Sequence, residues 1–380
     1  MTKAWQRHKL GDLLTRSGEA AQPAADAEYK EITIRLWGKG VLERGQISGA
    51  AVNGRRFIAR KNQFIASRID ARNGAMGIVP ESLDGALVTN DFPLFEVNQE
   101  HILPQYIGWL CRTPAFVDLC ARASEGTTNR VRLKEDEFLR LEIQIPDTKE
   151  QQRIVIRIDT VEQQLQAADK LRSSIDRDIA SLLAVRFQET LKQASLLPMR
   201  EVAPLVRRNV QLEANQQYKE LGARSFGRGL FVKPDFDADA ATWEKPVWIK
   251  TGDIVFSNIK AWEGAIGVAK PEHDGFIASH RYLTAVAKPE LALPEYLLYY
   301  LLSESGLTAV NEASPGTADR NRTTKQSALE AISVPVPPIA IQKQFIDLKN
   351  TIEASSKTRA TQQAITDALL PALVSSLLVQ

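Results

Sequence analysis

Neither proline nor glycine occurs in residues 147–197, and through most of that stretch apolar side chains return at steps of three or four residues. They are Ile154, Ile158, Val161, Leu165, Ala168, Leu171, Ile175, Ile179 and Leu182. That spacing makes an apolar seam for a partner helix, and predicts a helix of about 38 residues, roughly 57 Å long at 1.5 Å per residue. A second helical pattern opens with Phe345, Leu348 and Ile352, turns polar from Ser355 to Gln363, and resumes with Ile365, Leu369 and Leu373. Pro371 is placed to bend its end. Weakly apolar helices of this length are marginal alone, so the two are expected to pack on each other as an antiparallel coiled coil. Elsewhere the pattern is short: β-rich runs such as NQFIAS at 62–67 and GDIVFS at 252–257 lie between Gly, Asn and Asp turns, and helical patterns follow at 104–123 and 294–312.

The two halves repeat each other. Tyr29-Lys-Glu returns at Tyr218, and Arg35-Leu-Trp-Gly-Lys-Gly40 returns as Arg224-Ser-Phe-Gly-Arg-Gly229, both at an offset of 189. From Ser67 the offset is 190: Ser67, Ile69, Ala71, Gly74, Ala75 and Gly77 match Ser257, Ile259, Ala261, Gly264, Ala265 and Gly267. In the same register LPQY at 103–106 faces LPEY at 293–296, and Ser124-Glu-Gly-Thr127 faces Ser314-Pro-Gly-Thr317. A last shift to 191 pairs LEIQIP, 141–146, with ISVPVP, 332–337, and Gln151 with Gln342. A colinear repeat decides architecture before any single motif does. The expected fold is α/β: two tandem α/β domains, 1–147 and 196–338, joined and separated by two long helices, 148–195 and 339–380, about an internal pseudo-twofold.

Composition narrows the function less. A chain of 380 residues has room for two or three domains, and its longest apolar stretches fall short of the roughly 20 residues a membrane helix needs. The charged N-terminus, MTKAWQRHKLGDLLTRSGE, lacks a secretory leader, so a cytoplasmic protein is expected. Cys111 and Cys120 lie in an apolar helical segment and are expected to be reduced core thiols. No enzyme signature holds. Gly38-Lys-Gly40 and Gly227-Arg-Gly229 lack the third glycine of a nucleotide loop and read as turns. The only Pro-Pro, Pro337-Pro338, lacks the flanks of an aminomethyltransferase loop. PDFDADAATWEK, 234–245, has its Glu244 and Lys245 adjacent where a metal-dependent nuclease needs them one residue apart. His8, His101, His273 and His280 form no metal-ligand spacing.

What the copies share is basic and polar groups beside glycine turns. Arg35 and Lys39 correspond to Arg224 and Arg228; Arg68, Asp70 and Arg72 to Asn258, Lys260 and Trp262; Arg130 and Arg132 to Arg320 and Arg322, with Lys325 close behind. Arg, Lys and Asn pair with base edges or neutralise phosphates, and a tight glycine turn lets a loop enter a groove. Each residue alone also reads as a solvated surface charge; their recurrence groups them as candidate DNA contacts. Where the copies differ, as at Arg68 against Asn258, a duplicated reader would meet a different base in each half. The net charge of +2 releases few counterions, so tight DNA binding by the chain alone is not expected.

The duplicated unit, ASRIDARNGAMGIV at 66–79, SEGTTNRVRL at 124–133, and LEIQIPDTKEQQRIV echoed by ISVPVPPIAIQKQFI resemble the specificity subunits of type I restriction-modification systems over almost the whole chain. The resemblance implies a non-catalytic subunit of two target recognition domains, each reading one part of a bipartite duplex DNA sequence. It implies that the paired helices set the spacing and bind two modification subunits, which carry S-adenosylmethionine; no cofactor is implied in this chain. In the family it resembles, a translocase-nuclease subunit completes the restriction complex. The seam Ile154, Ile158, Val161, Leu165, Leu171, Ile175, Ile179, Phe345, Leu348, Ile352, Ile365 and Leu369 would then hold helix to helix or helix to partner. A rod of about 57 Å, shortened by the angle at which each domain docks, sets half-site centres about one to one and a half turns apart, at roughly 34 Å per turn. Asp147 stands where the second copy has Pro338, which leaves the start of the first helix open. Two other classes are a coiled-coil scaffold presenting two protein-binding domains, and a diverged methyltransferase or nuclease.

Overall fold

The structure, a computed structural model, describes residues 5–125, 131–213, 216–234, 236–237, 245–316 and 322–379. Phe64–Ala66 and its counterpart Ile254–Ser257 are buried at every position. Strands covered on both faces have no polar face to alternate with, and each of these lies inside a four-stranded antiparallel sheet. One sheet has the order Leu14–Ser17, Leu94–Val97, Phe64–Ala66, Met76–Ile78. The other repeats it as Leu205–Val206, Tyr282–Ala285, Ile254–Ser257, Ile266–Val268. The chain divides into two units that cut both long helices: Met1–Arg172 with Arg359–Gln380, and Ser173–Thr358.

In the first unit alternate residues of the sheet feed two cores. Phe64 and Phe95 point to one face, where they pack with Phe116 and Phe138 at ring separations of 6.0–6.4 Å, under the helices Pro104–Leu110 and Pro114–Arg122. Ile65 and Leu94 point to the other, against Ile32, Ile34 and Val88 of a second sheet ordered Val41–Ser48, Glu28–Ile34, Leu87–Val88, Phe57–Ile58. The second unit divides its sheet likewise, Ile254 and Phe256 toward the helices and Val255 toward Leu221, Val247 and Ala278. A parallel bridge from Glu220 to Ile277 repeats the one from Glu31 to Leu87. Cys111 and Cys120 are buried and unpaired with each other; burial pushes the Cys111 thiol up to about 12 and Cys120 higher still.

The long helices are longer than their seams foretell. Thr148–Leu191 has 44 residues, about 66 Å of rise, and Ile339–Leu378 has 40 and runs through Pro371. Asp147 answers the question its substitution raises: its carboxylate accepts the Glu150 amide at 2.9 Å and caps the helix. The second helix starts at the matching position, with the Pro338 carbonyl accepting the Ile341 amide. Gln151, fully buried, ties the first helix to its own unit by accepting from the Leu103 amide and donating to the His101 and Pro146 carbonyls, at 2.8–2.9 Å. Gln342 repeats all three bonds with Leu293, Leu291 and Pro337.

Within each unit the two helices pair antiparallel. In the first, Ile154 and Ile158 share a core with Val374 and Leu378, and farther along Gln363 donates to Asp169 at 3.1 Å. In the second, Phe187 packs on Phe345 at 5.4 Å between ring centres, with Tyr296 beside both. Val161, Leu165, Ile179, Leu348 and Ile352 are half-buried. Leu171, Ile175, Ile365 and Leu369, expected on the seam, are exposed instead by 66%, 43%, 64% and 52%. In the first unit the inward positions near them belong to polar groups, among them Arg172, which donates to Thr366 at 3.5 Å, and Gln363. The apolar repeat read from the sequence therefore runs partly along the outside.

Candidate nucleic-acid interface

In each unit one strand connection leans on another. In the first, the Arg35 amide bonds the Gly40 carbonyl at 3.0 Å, closing a loop whose Trp37 and Gly38 amides donate to the Asn73 and Gly74 carbonyls at 2.9 and 3.1 Å. In the second, Arg224 bonds Gly229 at 2.9 Å, and Phe226 and Gly227 donate to Glu263 and Gly264 at 2.7 and 3.0 Å. Gly74 and Gly264 are left-handed, at φ +77° and +79°. A Cβ on Gly74 would stand 3.2 Å from the Trp37 backbone, and one on Gly264 3.2 Å from the Gly227 nitrogen. These glycines thus seat one loop on the other; the sequence reading gave them the task of entering a groove.

The candidate cations fall on this platform in different states. Arg35 and Lys39 are exposed and Arg72 is half-buried, and among the described residues none of the three has an ion-pair partner. Arg68 is taken up: its guanidinium binds Glu135, which Arg16 also holds at 3.0 Å. Its backbone is fixed by Asp91 and Leu133, and Asn258 is fixed in the same way by Arg281 and Thr324. The Asn258 side-chain oxygen is buried without a partner among the described residues. Arg132 bridges to Asp91 at 3.1 Å and stays half exposed. Lys260 binds Glu263 at 2.7 Å; that bond first, and the Ser225 hydroxyl second, hold the Glu263 carboxyl below its ordinary value. Trp262, in the place of Arg72, lies under the Arg322 guanidinium, which also donates to the Ser314 carbonyl. Arg224 stacks on Phe231 and Arg228 stands 5.9 Å from the Phe226 ring centre. Lys325 is exposed ahead of the helix Gln326–Ala331. Arg130 and Arg320 lie outside the described residues, as does most of 234–245.

Residues 2–177 match the family model described as Type I restriction modification DNA specificity domain. Over that stretch the chain is similar to a type I DNA specificity domain. Its fold is that of the HsdS subunit from Thermoanaerobacter tengcongensis, with a TM-score of 0.61 at 17% identity over 100% of this chain and 97% of that one. A structure described as showing complex assembly and conformational transition of the type I R-M system matches at a TM-score of 0.70, with 17% identity over 100% of this chain and 98% of that one. No curated protein sequence matches.

Among the described residues no group of three His, Cys, Asp or Glu could hold a metal, and no helix is long and apolar enough to cross a membrane. The sequence reading passed over two platform residues. Trp37 and Phe226 stand at the tips of the matched loops, 70% and 76% exposed. The available signal was the aromatic-Gly-cation-Gly string present in both halves.

Proposed function

We propose that this chain reads a bipartite duplex DNA target, one half with residues 1–147 and the other with 196–338. Helices 148–195 and 339–380 set the spacing and dock two modification subunits, which bring S-adenosylmethionine, and a restriction-translocase subunit joins the same complex in the cytoplasm. The observation that carries this reading is the repeated loop platform: the backbone bonds recur in both units while the side chains at matched positions differ, as with Arg72 against Trp262. A common scaffold with exchanged readers is what an asymmetric target requires. The exposed Leu171, Ile365 and Leu369 in the first unit, and Leu182 and Val185 in the second, supply apolar surface for the docking of partners.

The test uses the full chain with its modification subunit and a pool of randomised duplex DNA. The complex should select two constant half-sites around a variable spacer. Arg72→Ala should relax one half only, by roughly 1–3 kcal/mol of discrimination if the guanidinium is bidentate to a base. Equal weakening on every sequence would make Arg72 a phosphate contact, and selection of no sequence would end the reading.

A further inference from the structure

Trp37 and Phe226 have left-handed backbones, φ +61° and +62°, where a bulky side chain is an outlier and a glycine would sit without strain. Both units nevertheless place an aromatic there. In both it is largely exposed, so its own chain gives the ring little to pack on. In both the tip is held by two backbone bonds to the neighbouring turn, so the ring is presented on a rigid base. Strain retained at matched positions, with no packing to repay it, points to a function outside the chain. The surroundings say what kind: Arg35 and Lys39 flank Trp37 in sequence, and Arg224 and Arg228 flank Phe226. A ring between cations suits a polyanion with π-faced units rather than an apolar protein pocket.

We propose that Trp37 and Phe226 are wedges, each pressed between stacked bases at one step of its half-site while the flanking cations hold the adjoining phosphates. The inference rests on the DNA-reading function and adds to it a mode of reading: each half-site is chosen partly by how cheaply one base step unstacks. Because a ring has no preference for one base edge, the wedges fix position and deformability while residues such as Arg72 read identity.

The experiment takes the complex of the full chain with its modification subunit, on the duplex that the unaltered complex selects from a randomised pool. Stacking of one base on an aromatic changes affinity by roughly 5- to 150-fold on removal of the ring, so Trp37→Ala should weaken binding about 10-fold or more. Trp37→Phe should stay within about 3-fold, since the stacking surface is kept. The salt dependence should not change, because no phosphate contact is lost. Permanganate should oxidise an unstacked thymine, or one placed at each step in turn, in one half-site with the unaltered complex and not with Trp37→Ala; Phe226→Ala should abolish reactivity in the other half. Trp37→Gly, which relieves the strain, should fold at least as stably and still lose affinity. Unchanged affinity and unchanged reactivity in Trp37→Ala and Trp37→Gly, on a target the unaltered complex does select, would overturn the wedge and leave the DNA-reading function standing. Loss of the modification subunit by these variants, with DNA contacts intact, would overturn it in favour of a protein-contact role. Failure of the unaltered complex to select any sequence would overturn both.

Discussion

Replacing Gln151 by Leu tests whether the buried glutamine is what fixes the first long helix to its unit. The side chain is fully buried and satisfies three backbone groups: the Leu103 amide and the carbonyls of His101 and Pro146. Leucine has similar bulk and bonds none of them. An orphaned buried amide costs about 1–3 kcal/mol, and two under-satisfied carbonyls together add a comparable amount, for roughly 2–6 kcal/mol in all. In a domain of this size each kcal/mol moves the midpoint by about 2–4 °C, so the thermal transition of the unit should fall by roughly 4–24 °C. Urea unfolding followed by far-ultraviolet circular dichroism should report the same loss, and exchange of the Leu103 amide should accelerate. Gln342→Leu should do equal damage to the second unit, because it breaks the same three bonds. Gln152→Leu, one residue away and exposed, should cost about 0.5 kcal/mol or less. If Gln151→Leu and Gln152→Leu behave alike, the three bonds are not what holds the helix, and the argument fails.

Four further outcomes are expected. Gly74→Ala should destabilise by more than Gly85→Ala: both are left-handed, costing about 1–2 kcal/mol each, but only the first pushes a Cβ against the Trp37 backbone, and chemical denaturation of the pair isolates that contact. Arg68→Ala should lower stability by about 1–2 kcal/mol, because Glu135 is largely buried and loses a partner, whereas the exposed Lys39→Ala should leave the melting curve within about 0.5 kcal/mol. Since burial raises both cysteine thiols, to about 12 at Cys111, the reactive thiolate is scarce at pH 8.5 and iodoacetamide should label neither until the chain is unfolded; prompt labelling of native protein would contradict that burial. Leu171→Ser with Leu369→Ser, both at exposed positions, should leave unfolding nearly unchanged and weaken capture of the modification subunit in a pull-down.

How far the sequence reaches differs from element to element. Two long helices could be read from the absence of proline and glycine over 147–197 and from apolar spacing, because helix geometry turns a local repeat into a stripe. The duplication was readable because equal turns need glycines at equal places. What the apolar pattern could not decide was which side of each helix faces in: Leu171 and Ile365 fit the repeat, yet the inner positions near them belong to Arg172 and Gln363. Hydrophobicity records that a side chain favours a dry contact and is silent on whether its own chain or another supplies it.

The cations show the same division. Sequence alone grouped Arg35, Lys39, Arg68 and Arg72 by recurrence, and in that string they are equivalent. Only the folded chain brings Glu135 to Arg68 across 67 residues and leaves Arg35 and Lys39 without a carboxylate among the described residues. Likewise the strain at Trp37 and Phe226 arises from two amides reaching a turn far along the chain, a long-range constraint that local propensity does not encode. Short-range spacing determined the helices, the turns and the repeat; the pairing of distant charges and the direction of each exposed ring were decided by tertiary structure, because Coulombic partners and steric seats depend on distance in space.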